Sequence, residues 1–395
     1  MLSDEAVLSL LWTAVFVVVT GFLVLRAILP PAVALGAMLA KVGLAAAFAL
    51  YGDASQWTLL DDVFYYVQGR DLLSRGGDPF TFFVQGDGVL RLIGMSQGLH
   101  ILYGWYNFLA QWLVGPYYFA PVLGNVLLTA VAARALHALV LDAGAPREEA
   151  WWTTLIFLVH WDVLAWSSFI NVKDNLVLAL TILLLLGYGR LARGVTYGRV
   201  AAVVVLSGLF IFLRFYVPVL ALGCFLLTSA ASRHALARNR LKVLAAGIAL
   251  AAALYLAVGP ALFALAISRL DLSPGNAVVG GVRILLTPQP WSIEPNYEYL
   301  LLPSVLHLVF LLPALAGVAG LWRRLPGARL AIAFYLTIVL VFALFLKQQG
   351  PRHRYQVVFV LVWGLVHLAR EVGPAVSVWL RGATLGSVAA TNRVS

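Results

Sequence analysis

Long uninterrupted apolar runs recur along most of this 395-residue chain, and they constrain its fold more than any other feature. A helix needs roughly 20 mostly apolar residues to cross a bilayer. Only 11% of the residues are charged, whereas ordinary soluble domains carry about 25%. The sequence therefore excludes a soluble globular fold and a disordered chain, and it predicts an all-α polytopic membrane protein.

Eleven spans are predicted from these runs, within a single transmembrane domain that covers residues 1–395. They cover residues 8–28, 32–51, 117–142, 151–168, 175–190, 199–213, 217–231, 242–266, 300–322, 328–346 and 355–372. Two connectors are long, residues 52–116 and 267–299. The others are short turns, so the sequence predicts no appended soluble domain.

Basic residues collect in the connectors 190–199, 233–242 and 323–329. Such connectors face the cytoplasm in membrane proteins. This predicts a multi-pass protein of the cell membrane with its N-terminus outside and its C-terminus in the cytoplasm. The excess of 27 Lys and Arg over 17 Asp and Glu then reflects orientation, and it gives no support to a nucleic-acid partner.

This orientation makes residues 52–116 the first outer loop and residues 267–299 the second. It also requires Leu99–Val114, which is rich in Trp and Tyr, to lie along the interface instead of crossing the membrane. Aromatic amphipathic segments suit that position. The alternative is a true span there, which would move the N-terminus inside.

Two adjacent aspartates, Asp61 and Asp62, open a predicted short helix in the first outer loop, which ends at Gly76-Gly77. Asp at a helix start is favoured by the free backbone N–H groups, which is a sufficient structural explanation for one of them. A second carboxylate exceeds what capping needs. A carboxylate just beyond a span can also act as a general base toward an acceptor hydroxyl, and spacing alone leaves both interpretations open.

Several cations lie on the predicted outer side, against the orientation rule: Lys173, Arg214, Arg352, His353 and Arg354. Arginine binds phosphate through a planar fork and stays charged, so anion binding is a natural reason for these positions. The alternatives are attraction to anionic lipid headgroups or pairing with outer acids. For Lys173, a solvated turn together with Asp174 is a further alternative.

Asp162 is an acid within a predicted span, where ionisable groups are costly and face a cavity or a partner. The alternatives are a functional acid and a local partnership with His160 or Lys173. Gly-rich phosphate loops, zinc spacings and nucleophile elbows are absent from the sequence. No cofactor or metal is therefore required, although a divalent cation bridging carboxylate and phosphate stays open.

Taken together, these motifs resemble the GT-C membrane glycosyltransferases. That superfamily includes protein O-mannosyltransferases, aminoarabinose transferases and polyprenyl-phosphomannose-dependent mannosyltransferases. The resemblance is carried by Asp61-Asp62-Val63-Phe64-Tyr65, by the Gly-Gly-x-Pro-Phe ending at Phe80 and by Arg354-Tyr355 before the last span. An interfacial helix at Leu99–Val114 also fits the family. Two spans precede the acidic loop here, where the family usually has one.

The resemblance implies an inverting hexosyl or pentosyl transferase that moves a sugar from a polyprenyl-phosphate donor to a hydroxyl on a glycan, lipid or protein. It implies Asp61 as the catalytic base, supported by Asp62. It assigns the remaining expected roles as donor-phosphate binding by Arg352, Arg354, Arg214, Lys173 and His353, and substrate binding by Tyr65, Asp162 and Tyr355.

Two other functions stay open at the level of sequence. The Lys173-Asp174 turn with Arg214 downstream resembles the polysaccharide polymerases of bacterial envelopes, which join lipid-linked repeat units. A lipid-linked sugar transporter or flippase is the alternative outside enzymes, with the outer cations as a headgroup site. A transporter has no need of Asp61 for proton transfer, which distinguishes it from both enzymes.

Overall fold

The computed structural model describes residues 2–52, 61–82, 100–231, 268, 271–345 and 350–373. Within these residues the regular structure is helical and contains no β-strand. In chain order the helices are α1 (Asp4–Leu25), α2 (Pro31–Tyr51), α3 (Asp61–Ser74), α4 (Ile101–Val114), α5 (Phe119–Asp142), α6 (Arg147–Val159), α7 (Trp161–Ser168), α8 (Asp174–Arg193), α9 (Tyr197–Ile211), α10 (Tyr216–Ala231), α11 (Pro274–Leu286), α12 (Leu301–Arg324), α13 (Arg329–Leu344), α14 (Pro351–Tyr355) and α15 (358–373).

Six helices of the described chain are long and apolar enough to cross a membrane: α1, α2, α5, α8, α12 and α13. They support the predicted all-α membrane protein. Helices α9 and α10 are apolar but shorter, and the predicted span 242–266 lies outside the described residues. The number of eleven spans therefore stays a prediction.

The predicted span 151–168 is two helices instead of one, because the chain turns to an extended conformation at His160. The His160 side chain caps α7 by accepting from the Asp162 backbone N–H at 3.2 Å. The buried Lys41 ammonium of α2 reaches across the break, lying 3.4 Å from the Leu158 carbonyl oxygen and 2.9 Å from Ser167 Oγ. It thereby supplies a donor to a carbonyl near the end of α6.

Helix α4 covers residues 101–114 of the segment that the sequence predicts to lie along the interface, and it is 14 residues long. At a rise of 1.5 Å per residue it spans about 21 Å, less than the roughly 30 Å of a bilayer's hydrocarbon core. It packs closely on α3 at Gly69, where an added Cβ would lie 2.9 Å from the Asn107 carbonyl carbon. Gln111 Nε2 also donates to the Tyr66 carbonyl at 2.9 Å. Helices α3 and α4 therefore pack directly against one another.

At the end of the bundle opposite α3, a buried carboxylate joins the middle of the chain to its last described helix. Glu149 of α6 accepts from Trp363 Nε1 at 2.8 Å and from Arg370 Nη1 at 3.0 Å, and His367 Nδ1 lies 3.2 Å away. All three partners belong to α15, so this carboxylate fixes α15 against α6.

Candidate functional site

Five charged side chains meet where α3, α8 and α14 begin, and we call this group the charge cluster: Asp61, Lys173, Asp174, Arg214 and Arg352. Arg352 Nη2 lies 2.8 Å from Asp61 Oδ2, and Lys173 Nζ lies 3.5 Å from the same oxygen. The fold thus brings Asp61 together with three of the cations that the sequence predicted to lie on the outer side.

Asp174, the first residue of α8, lies at the centre of the charge cluster and has no solvent exposure. Its Oδ2 accepts from Arg352 Nε at 2.7 Å, and its Oδ1 pairs with Arg214 Nη2. Arg214 Nη1 lies 3.0 Å from the Tyr216 hydroxyl oxygen. A solvated turn at residues 173 and 174, left open by the sequence, does not describe this arrangement.

The charge cluster carries a surplus of positive charge and opens to solvent at one side chain. Its three cations face two carboxylates, which leaves a net charge of +1 when all five are ionised. The Asp61 side chain is 47% exposed, whereas that of Asp174 is fully buried and that of Arg352 is 20% exposed. An incoming anion therefore meets Asp61 and Arg352 first.

The neighbouring charges shift the pKa values of the cluster in opposite directions. Partial burial would raise the pKa of Asp61, but the positive charges of Arg352 and Lys173 outweigh it and hold that pKa below its usual value. Burial and the nearby Arg352 charge lower the pKa of Lys173 to about 7. The Asp174 and Asp61 carboxylates raise the pKa of Arg352 further, against the effect of its burial, so this residue stays charged.

Tyr65 and His353 border the charge cluster as neutral groups. The Tyr65 hydroxyl accepts from Lys173 Nζ at 2.9 Å, and burial raises the pKa of this phenol above its usual value. The His353 ring packs against Phe342 with 4.3 Å between centroids. Burial and the Arg214 charge lower the pKa of His353 to about 3. In its neutral form His353 adds no positive charge for a phosphate.

Asp62 points away from Asp61 into a buried polar network. The Tyr118 hydroxyl donates to Asp62 Oδ2 at 2.6 Å, and Asn171 Nδ2 donates to the Asp62 backbone carbonyl at 3.1 Å. The Tyr103 hydroxyl in turn donates to Asn171 Oδ1 at 2.7 Å. Asp62 is fully buried, so it is placed to anchor the start of α3 while Asp61 faces outward.

Arg354, Asp162 and Tyr355 do not join the charge cluster. Arg354 Nη1 donates to the backbone carbonyls of Ile284, Leu285 and Thr287 at 2.8–3.0 Å, and it thereby caps the end of α11. The Asp162 carboxylate lies 3.9 Å from Arg354 Nη2. The Tyr355 hydroxyl donates to Asn175 Oδ1 at 2.7 Å inside the bundle. Each of these expected site residues is engaged by the protein itself.

An apolar cavity of about 390 Å³ lies near Asp62, between the start of α1, the end of α2 and the start of α5. Ala45, Ala49 and Val122 line it together with the rings of Phe48 and Tyr118. Tyr118 links this cavity to the network behind Asp61 through its bond to Asp62. The lining is more apolar than polar, which is compatible with an aliphatic chain.

Comparison of the chain with known proteins found no matching family model, curated protein or solved structure. Within the described residues, no group of three or more His, Cys, Asp or Glu side chains is arranged to hold a metal ion. The functional argument therefore depends on the charge cluster itself.

Proposed function

We propose that this protein is a membrane glycosyltransferase of the GT-C type, which transfers a sugar from a polyprenyl-phosphate donor to an acceptor hydroxyl. The observation that carries the proposal is a half-exposed carboxylate, Asp61, in contact with two cations at the mouth of a cluster with net charge +1. The basic connectors of the opposite end support an extracytoplasmic position for this cluster.

The donor phosphate takes the position that Asp61 now holds beside Arg352 and Lys173. A guanidinium group binds phosphate oxygens in a planar fork, and a lysine adds a compact charge. Both cations now pair with Asp61, so the arriving phosphate competes with that carboxylate. As the phosphate draws the cations toward itself, the pKa of Asp61 rises and the carboxylate becomes a stronger base.

The transfer keeps the charge of the site constant. The acceptor oxygen forms a bond to the anomeric carbon as the bond from that carbon to the phosphate oxygen breaks, with inversion. The acceptor proton passes to Asp61. Asp61 loses one negative charge while the leaving phosphate gains one, and the three cations stabilise that developing charge.

The net charge of the cluster also favours a donor linked through one phosphate over a donor linked through a diphosphate. A sugar phosphodiester has a charge of −1 and neutralises the cluster, both before and after transfer. A diphosphate-linked donor, which an envelope polysaccharide polymerase would use, leaves an extra negative charge at the site. A flippase requires no base at all, so the position of Asp61 at the mouth of the cluster supports an enzyme.

The direct test replaces Asp61 by Asn in the purified protein and supplies polyprenyl-phosphate sugars and membrane acceptors. We expect sugar transfer to fall by about 10²- to 10⁴-fold, the usual contribution of a general base. Asn lacks the charge that competes with phosphate, so affinity for an isoprenyl phosphate should be equal or tighter.

The matched control is Asp71→Asn on the same helix, because Asp71 forms an ion pair with Arg75, within the same helical segment and outside the charge cluster. This variant should transfer sugar at the wild-type rate. Undiminished transfer by the Asp61→Asn protein would refute the assignment of the base.

A further inference from the structure

We propose that Asp174 is a positioning residue, which holds Arg214 and Arg352 in the orientation that receives the donor phosphate. The inference rests on the proposed function and extends it to a residue that is buried and does not meet the substrate. Its basis is the division of contacts around Arg352: Nε is bound to Asp174 at 2.7 Å, and Nη2 faces Asp61 at 2.8 Å.

This division determines which edge of the Arg352 guanidinium is available to a ligand. The Nε edge is held by a carboxylate with no exposure, at the first residue of a 20-residue helix. The Nη2 atom makes no aligned hydrogen bond among the described residues, although it lies beside Asp61 Oδ2. The Nη2 atom is itself buried behind Asp61, so it becomes accessible to a phosphate when Asp61 yields.

Asp174 also keeps two like charges together. Arg214 and Arg352 both bind its carboxylate, one at each oxygen. Without that carboxylate the two guanidinium groups repel one another, and the remaining carboxylate near Arg352 is Asp61. Arg352 then turns its donors to Asp61. These donors are no longer available to the phosphate, and the ion pair between Arg352 and Asp61 becomes stronger.

Charge and position predict opposite effects for the Asp174→Asn substitution. Removal of one carboxylate raises the net charge of the cluster from +1 to +2, so Coulomb attraction alone would tighten anion binding. If Asp174 orients the two arginines, its replacement weakens anion binding instead, because the donors of Arg214 and Arg352 no longer converge. The sign of the change in affinity therefore separates the two roles.

The experiment measures equilibrium binding of farnesyl phosphate, a short isoprenyl monophosphate, to the purified full-length protein in lipid nanodiscs at pH 6, where Lys173 is charged. We expect Asp174→Asn to weaken binding by tenfold or more. The matched control is Asp142→Asn, because Asp142 also pairs with two arginines, Arg190 and Arg193, but at the opposite end of the bundle. Its affinity should equal that of the wild type.

A second pair of variants covers the case in which Asp174→Asn does not fold. Arg214→Gln/Asp174→Asn has the wild-type net charge of +1, and it is compared with Arg214→Gln alone. We expect weaker binding in the double variant, because Arg352 has lost its anchor. Equal or tighter binding in the double variant, or tighter binding by Asp174→Asn, would overturn the positioning role while leaving the proposed function intact.

The pH profile of sugar transfer gives a readout that a purely structural role would not move. The groups facing Asp61 are Arg352, Lys173 and His100. In Arg214→Gln/Asp174→Asn, which keeps the wild-type net charge, Arg352 pairs more closely with Asp61, so the acid limb of the transfer rate should move to lower pH than in the wild type. An unmoved acid limb would contradict the positioning role.

Absence of farnesyl phosphate binding by the wild type would instead refute the donor site, and with it this inference.

Discussion

Lys173 is the cluster residue whose charge changes most readily near neutral pH. Its ammonium group is buried beside Arg352 and donates to the Tyr65 hydroxyl at 2.9 Å. Burial lowers its pKa to about 7, so the side chain is charged below that pH and becomes neutral above it. Affinity for the donor should consequently fall as the pH rises through 7.

The Lys173→Arg variant tests this pH dependence, because arginine stays charged throughout the range. Between pH 6 and pH 8, we expect the wild-type affinity for methyl farnesyl phosphate to fall by about tenfold, the loss that follows when a group with a pKa near 7 is titrated. This phosphodiester keeps one charge over the range. The variant should show a flat profile in the same binding assay, whereas a parallel fall in both proteins would exclude Lys173 as the titrating group.

Sequence reasoning predicted Asp61, Lys173, Arg214 and Arg352 as site residues, but it could not predict what joins them. Asp61 stands out in the sequence because it is one of two adjacent acids in a loop. Arg352 stands out because it is a cation on the predicted outer side, where the orientation rule predicts few. Asp174 has no such signal, because an Asp at the start of an apolar helix is explained by capping. Its partners are 40 and 178 residues away along the chain.

At the scale of elements, α14 separates two neighbouring arginines into different roles. Arg352 faces the charge cluster, whereas Arg354 turns to the last carbonyls of α11. On a helix, residues two positions apart point to different faces. The sequence predicts an outer position for both arginines, and only the helical geometry of α14 distinguishes their contacts.

The Arg354→Met variant should therefore affect stability more than donor affinity. It removes three donated bonds to buried or half-buried carbonyls, a loss of about 3 kcal/mol in the free energy of unfolding. Thermal unfolding in detergent gives the stability, and farnesyl phosphate binding gives the affinity. Arg283→Met, at an exposed position of α11, is the control and should leave both near wild type. A large loss of affinity with unchanged stability would return Arg354 to the phosphate site.

At the scale of the whole molecule, the hydrophobic pattern predicted the class of fold but not its interruptions. Continuous apolar runs indicated an all-α membrane protein, and six long apolar helices agree with it. The break at His160 was missed, and the Lys41 side chain that bridges it comes from more than a hundred residues earlier in the chain. A contact between residues so far apart in the chain does not change the hydropathy of the segment around His160.

Sidedness is a prediction of the whole molecule, since it follows from the bias of basic residues between the two ends. In a Cys224→Ser background, Ser74→Cys on α3 should react with an impermeant maleimide added outside intact cells. Glu148→Cys, exposed at the start of α6, should react only after permeabilisation. The reverse pattern would place the charge cluster in the cytoplasm and contradict an extracytoplasmic transferase.

The most direct measurement of the donor site is an experimental structure of the protein with a bound isoprenyl phosphate. We predict phosphate oxygens about 3 Å from Arg352 Nη2 and Lys173 Nζ, with the Asp61 carboxylate released from both cations and the Arg352–Asp174 bond retained. A phosphate bound elsewhere, with Asp61 still paired to Arg352, would contradict the proposed donor site.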